Sequence, residues 1–167
     1  DKIAQMKMYD LYHRAVYGSI IRLIKNPVET EDLMQETFLN AFTNIDSYRA
    51  EASFGTWIKK IAVNGALNTL RKKSLDFSDT PEENLPEKES SSDENYSRFT
   101  MDEIMGEINR LSEGYRIVLN LYLLEGFDHD EIGEILKIKP VTSRTQYLRA
   151  KKKLAQNLTD SYYARQA

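Results

Sequence analysis

A chain of 167 residues, 41% hydrophobic and 29% charged, has material for one domain or two small ones, each with a modest core. No apolar run approaches the roughly 20 residues that cross a bilayer, the absence of cysteine excludes disulfides and thiolate metal sites, and His13 and His129 stand too far apart in sequence to suggest a metal cluster. The net charge of -3 speaks against a phosphate-binding partner until its distribution is read, because residues 76–95 hold eight acids against Lys88 alone and leave the rest of the chain basic.

Along the first 73 residues the pattern is helical. Leu11, Tyr12, Val16, Ile20, Ile21, Leu23 and Ile24 form an apolar stripe that the Asn26-Pro27 pair ends. A second helix is expected from about Thr30 to Ile45, with Met34, Phe38, Ala41, Phe42 and Ile45 at three- and four-residue spacing. A third begins near Ser53, a good N-cap, and turns Phe54, Trp57, Ile58, Ile61, Leu67 and Leu70 inward. The amino-terminal segment has no apolar region with a small-residue cleavage site, so an intracellular, cytoplasmic home is expected.

Residues 74–100 combine Pro81, Pro86, the run Ser90 to Ser92 and dense acidic charge with few large apolar side chains. They read as a flexible acidic linker between a domain at 1–73 and another at 101–167. Beyond it, Met101 to Leu111 and Tyr115 to Leu124 are helical patterns, the second ending before Gly126. Asp128 and Glu131 have the spacing of a capping box for a short helix that stops at Lys137. Pro140 then suits the first position of a long basic helix with Ser143, Tyr147, Ala150, Leu154 and Leu158 inside. Short helix, tight turn and basic helix make a helix-turn-helix. The fold class is therefore all-α, two small helical bundles joined by a linker.

Three faces carry chemistry. On the last helix, Thr142, Arg144, Thr145, Gln146, Leu148, Arg149 and Lys152 point outward or to the flanks, with Lys139 just before them. Arginine there can bond guanine and glutamine can bond adenine in a major groove, while the other cations hold phosphates. On the third helix, Lys60, Asn64, Asn68 and Arg71 share one face, beside a loop with Tyr48 and Arg49 and near Trp57. Such a surface can stack and read single-stranded bases, although Phe54 and Trp57 by themselves are more often core residues and Asn64 alone is usually a solvated polar side chain. On the second helix, Glu31, Asp32, Gln35, Glu36 and Asn40 make an acidic and amide face unsuited to phosphates; by composition it is an ordinary wet helix face. No nucleophile-base pair, metal-ligand spacing or glycine-rich phosphate loop appears, so no catalytic residue, metal, cofactor or small-molecule substrate is expected.

The run from Glu31 to Phe42, then Tyr48 to Ile58 and Ile61 to Asn64, resembles the amino-terminal domain of extracytoplasmic-function RNA polymerase sigma factors. Leu111 to Leu119, Glu125 to Leu136 and Thr142 to Lys151 resemble the carboxy-terminal domain of the same family, in family order. The resemblance implies a specificity subunit without catalysis of its own. It implies that Asp32, Gln35 and Glu36 dock on the clamp helices of core RNA polymerase, with Asn40 on the same face. It further implies that the Tyr48 to Ala52 loop and the helix with Lys60 and Asn64 capture the melted minus-ten element of promoter DNA, and that Arg144 and its neighbours read the minus-thirty-five element. An anti-sigma factor is an expected further partner; membrane insertion is not expected. Where family members commonly open the recognition helix with a small polar cap, an acid and a glycine, this chain has Lys139-Pro140-Val141. The alternative is a helix-turn-helix regulator that binds DNA without polymerase.

Overall fold

The computed structural model describes residues 1–73 and 96–166, so most of the expected linker lies outside the described residues. The chain divides into two compact units, Asp1–Ser74 and Leu75–Ala167. Among the described residues both are helical with no strand, as the periodicity requires.

The first unit has three helices. Helix α1 (Lys2–Ile24) ends on Lys25, which takes the left-handed conformation that closes a helix. Helix α2 runs Pro27–Thr43, three residues ahead of the expected start. Asn26 accepts from the amides of Val28 and Glu29, and Pro27 takes the first helical position where no N–H is needed. Helix α3 (Phe54–Lys72) starts from Ser53, whose hydroxyl accepts from the Thr56 amide. Each helix packs on the other two, and Val16, Ile20, Leu23, Phe38, Ile58, Val63 and Leu67 fill the centre.

Two features of this bundle depart from the apolar pattern. Ile45 falls in a single helical turn after α2 and is exposed, so the inner stripe of α2 stops at Ala41 with Phe42 half-buried. Thr30 and Thr37 are buried instead, because their hydroxyls donate to the Asn26 and Leu33 carbonyls at 2.7 Å and leave only methyl groups to pack.

In the second unit α4 (Met101–Arg110) is capped by Thr100, with Glu103 bonding back to the Thr100 amide at 2.8 Å. Helix α5 (Glu113–Leu119) passes into one wide turn at Asn120–Leu124 before Gly126, whose positive φ reverses the chain. The wide turn replaces the end of the expected continuous helix; the Glu125 amide reaches back five residues to the Asn120 carbonyl. Helix α6 (His129–Leu136) and α7 (Pro140–Gln166) follow.

Helix α7 touches α4, α5 and α6 and is the spine of the unit. Ile108, Leu111, Leu119, Ala150, Leu154 and Leu158 form one buried cluster. At its far end Ser161 donates to Glu107 and Arg165 pairs with Glu103. Arg98 lies over the rings of Phe99 and Tyr162, so the chain just before α4 also packs on this unit.

Candidate functional site

Helices α2 and α3 segregate charge. Helix α2 carries Glu29, Glu31, Asp32 and Glu36 without a lysine or arginine, whereas α3 carries Lys59, Lys60, Arg71 and Lys72 without an acid. Asp32, Gln35, Glu36 and Asn40 are all exposed on α2. The Asn40 side-chain oxygen accepts from Asn44 at 2.6 Å, which fixes the amide at the helix end. Between and beside these residues Val28 and Leu39 are 70% and 68% exposed. The acidic face therefore includes two apolar side chains that the periodicity did not single out.

On α3, Lys60, Asn64 and Asn68 are exposed and Arg71 is half-buried. One row results from the four- and three-residue steps, and Arg71 donates to Asn68 at 2.9 Å. The loop before the helix is fastened by aromatic contacts. Tyr48 packs 5.2 Å from Trp57 and edge-on to Phe54, and its hydroxyl donates to the Ala52 carbonyl at 2.7 Å. Tyr12 on α1 lies 5.4 Å from Phe54. A Cβ on Gly55 would meet the Tyr12 ring at 2.7 Å, so glycine permits this approach. Trp57 is half-buried: it holds the loop and keeps part of its surface in water, while Arg49 is fully on the outside.

In the second unit the helix-turn-helix is built as its sequence requires. Asp128 accepts from the Glu131 amide at 2.8 Å and Glu131 returns the bond to the Asp128 amide at 3.0 Å. Helix α6 ends on Lys137 with positive φ, and the Ile138 amide bonds the Gly133 carbonyl. A Cβ at Gly133 would stand 2.8 Å from the Ile138 carbonyl oxygen and 3.3 Å from Pro140 N, both backbone, so the turn closes only over glycine. Lys139, Arg144, Leu148 and Lys152 are exposed, and Thr142, Thr145 and Arg149 are half-exposed.

Gln146 is the exception among the expected base-reading residues. It is 4% exposed and faces inward with Ser143 and Ala150. The inner stripe advances from 143 by a step of three before a step of four, which puts Gln146 inside and Tyr147 half outside. In this conformation Gln146 is not on the outer surface of α7.

His129, at the start of α6, is half-buried. Its ring stacks on Tyr122 at 4.7 Å, meets the edge of Tyr147 at 5.7 Å, and has Nδ1 3.0 Å from the Ser143 hydroxyl. Burial lowers its pKa, and Arg144 adds to that against the smaller pull of Asp128 and Asp130. His13 donates from Nδ1 toward the Tyr9 and Asp10 carbonyls, at 3.1 Å each, and stacks on Tyr9. Among the described residues no group of acids and histidines is arranged to hold a metal ion, and no helix is long and apolar enough to cross a membrane.

A helix-turn-helix with a basic outer face, in one chain with a bundle that separates an acidic face from a cationic amide row, defines a transcription factor of the sigma class. Residues 8–75 match the model of Sigma-70 region 2 and residues 101–154 that of Sigma-70, region 4. The chain is 30% identical to the ECF RNA polymerase sigma factor SigW of Bacillus subtilis, over 96% of its own length and 91% of the relative's. It is 31% identical to the ECF RNA polymerase sigma-E factor of Escherichia coli over 84% of this chain and 78% of that one. The chain belongs to the extracytoplasmic-function (ECF) family of RNA polymerase sigma factors. Its fold is that of the sigma factor RpoE solved with the anti-sigma factor NepR from Bartonella quintana, with a TM-score of 0.60 and 22% identity over 93% of this chain and 96% of that one. CnrH, solved with the cytosolic domain of CnrY, shares it at a TM-score of 0.56 and 16% identity, over 96% and 90% of the two chains.

Proposed function

We propose that this chain acts as an alternative sigma factor in the bacterial cytoplasm, binding core RNA polymerase, directing it to promoters and helping to open the minus-ten region without catalysing a reaction itself. The separation of charge between α2 and α3 carries the reading. An all-acidic face repels the DNA backbone and suits a basic protein surface, so Asp32, Gln35, Glu36 and Asn40, with Val28 and Leu39 among them, take the polymerase clamp. The row Lys60, Asn64, Asn68 and Arg71, with Tyr48, Arg49 and Trp57, takes unpaired minus-ten bases, where each stacked base offsets ~1–3 kcal/mol of the melting cost. Lys139, Thr142, Arg144, Thr145, Leu148, Arg149 and Lys152 take the minus-thirty-five duplex. The residues before Tyr96 act as the tether between a domain at 1–73 and one at 101–167, onto which Arg98 and Phe99 pack.

The sigma factor RpoE, which shares this fold, was solved with the anti-sigma factor NepR, which supports an anti-sigma factor as the regulator here. Transcription reconstituted from core polymerase and this chain on a promoter library tests the reading. Initiation at a defined set of sites is expected. DNA binding by the chain with no association with core polymerase would instead make it a helix-turn-helix regulator.

A further inference from the structure

The outer face of α7 is not uniformly cationic. At 3.6 residues per turn, Val141, Thr145 and Leu148 fall within an arc of about 60°, with Arg144 on one side and Arg149 on the other. Val141 is 62% exposed and Leu148 38%. Thr145 donates its hydroxyl to the Val141 carbonyl at 3.0 Å. That bond commits its one hydroxyl proton and leaves the oxygen only as an acceptor. Three methyl-bearing side chains therefore lie along the middle of the face over about 10 Å at 1.5 Å per residue, a span of roughly three base-pair steps at ~3.4 Å each.

We infer that this strip reads thymine, through the C5-methyl groups that a major groove presents at A·T pairs, and that Val141 and Leu148 are specificity-determining residues of the upstream promoter contact. The inference rests on the assignment of α7 as the helix that reads duplex DNA. Charge chooses the occupant: Lys139, Arg144, Arg149 and Lys152 surround the strip and would repel a basic protein partner, whereas phosphates on both walls of a groove would satisfy them. Apolar contact with the thymine methyl is the readout open to valine, leucine and a threonine whose hydroxyl is engaged. Gln146, the residue suited to adenine, faces inward, which leaves the methyl on the opposite base of an A·T pair as the feature this face can recognise.

The test uses the full chain bound to core polymerase. Promoters are enriched from a pool randomised upstream of the start site, and each thymine of the enriched upstream element is then replaced singly by deoxyuridine, which removes only the methyl. Holoenzyme binding should fall about fourfold at one or more positions, the transfer worth of a single buried carbon group. Val141→Ala or Leu148→Ala should abolish the penalty at its own position while core association is unchanged. An enriched element without thymine on either strand, deoxyuridine equal to thymine everywhere, or a penalty untouched by both substitutions would overturn the inference and leave the DNA-reading role of α7 standing. A pool with no enriched upstream sequence would overturn that role and the inference with it.

Discussion

Nδ1 of His129, the first residue of α6, lies 3.0 Å from the hydroxyl of Ser143 in the first turns of α7. The contact joins the two helices of the helix-turn-helix directly, and the rings of Tyr122 and Tyr147 enclose it. The angle at which the basic helix leaves the turn is thus fixed by a part-buried polar bond as well as by the core below it.

Replacing His129 by alanine removes one hydrogen bond and an aromatic stack, each typically worth ~0.5–1.5 kcal/mol. A loss of about 1–2 kcal/mol in urea unfolding of the second unit is expected, since part of the ring remains in water. The same contact makes stability depend on pH. Burial, and next Arg144, depress the histidine pKa from 6.5, so the unfolded chain takes the proton more readily than the folded one. The contribution is complete above about pH 6.5, where both states are neutral, and is lost as pH falls through the depressed value. His129→Phe should unfold with a flatter pH profile between pH 7.5 and 5.5, read by the same urea titrations.

Gly133→Ala forces a Cβ to 2.8 Å from the Ile138 carbonyl oxygen, an atom that cannot swing aside. Overpacking of this kind costs ~1–3 kcal/mol, and here it opens the turn that aims α7. Duplex binding by the holoenzyme should drop at least tenfold while core association, proposed for the first unit, keeps its wild-type Kd.

Leu39→Ala separates binding from folding. The side chain is 68% exposed, and substitutions at such positions usually change stability by less than ~0.5 kcal/mol. Its place beside Glu36 and Asn40 puts it in the face proposed to meet the clamp. Core association should weaken about tenfold by fluorescence anisotropy with an unchanged thermal midpoint.

The parts of this structure that were readable in the sequence are those set by neighbours within a few residues. Ser53 and Asp128 with Glu131 act through backbone amides one turn away, and Pro140 through its own fixed φ and missing N–H, so their residue types and spacing suffice. The face Lys60, Asn64, Asn68 was readable because α3 keeps a steady helical phase over its whole length. The phase of α7 was not, because one three-residue step decides whether residue 146 or 147 is innermost, and only packing against α5 and α6 makes that choice. The wide turn at Asn120–Leu124 leaves no periodic trace. The His129–Ser143 bond joins residues 14 apart, and the exposure of Val28 and Leu39 shows only once the bundle has selected its core.

The division of labour between α2 and α3 is tested most directly by measuring core-polymerase affinity and permanganate reactivity of promoter thymines for two pairs of variants. Asp32→Ala and Gln35→Ala should weaken core association tenfold or more, within the ~2 kcal/mol range of interface hot spots, and restore normal melting once core is saturated. Lys60→Ala and Asn64→Ala should leave core affinity within about twofold and reduce promoter melting about tenfold, the worth of ~1–3 kcal/mol per captured base. The opposite pattern, or four variants that match the wild type in both measurements, would contradict the account.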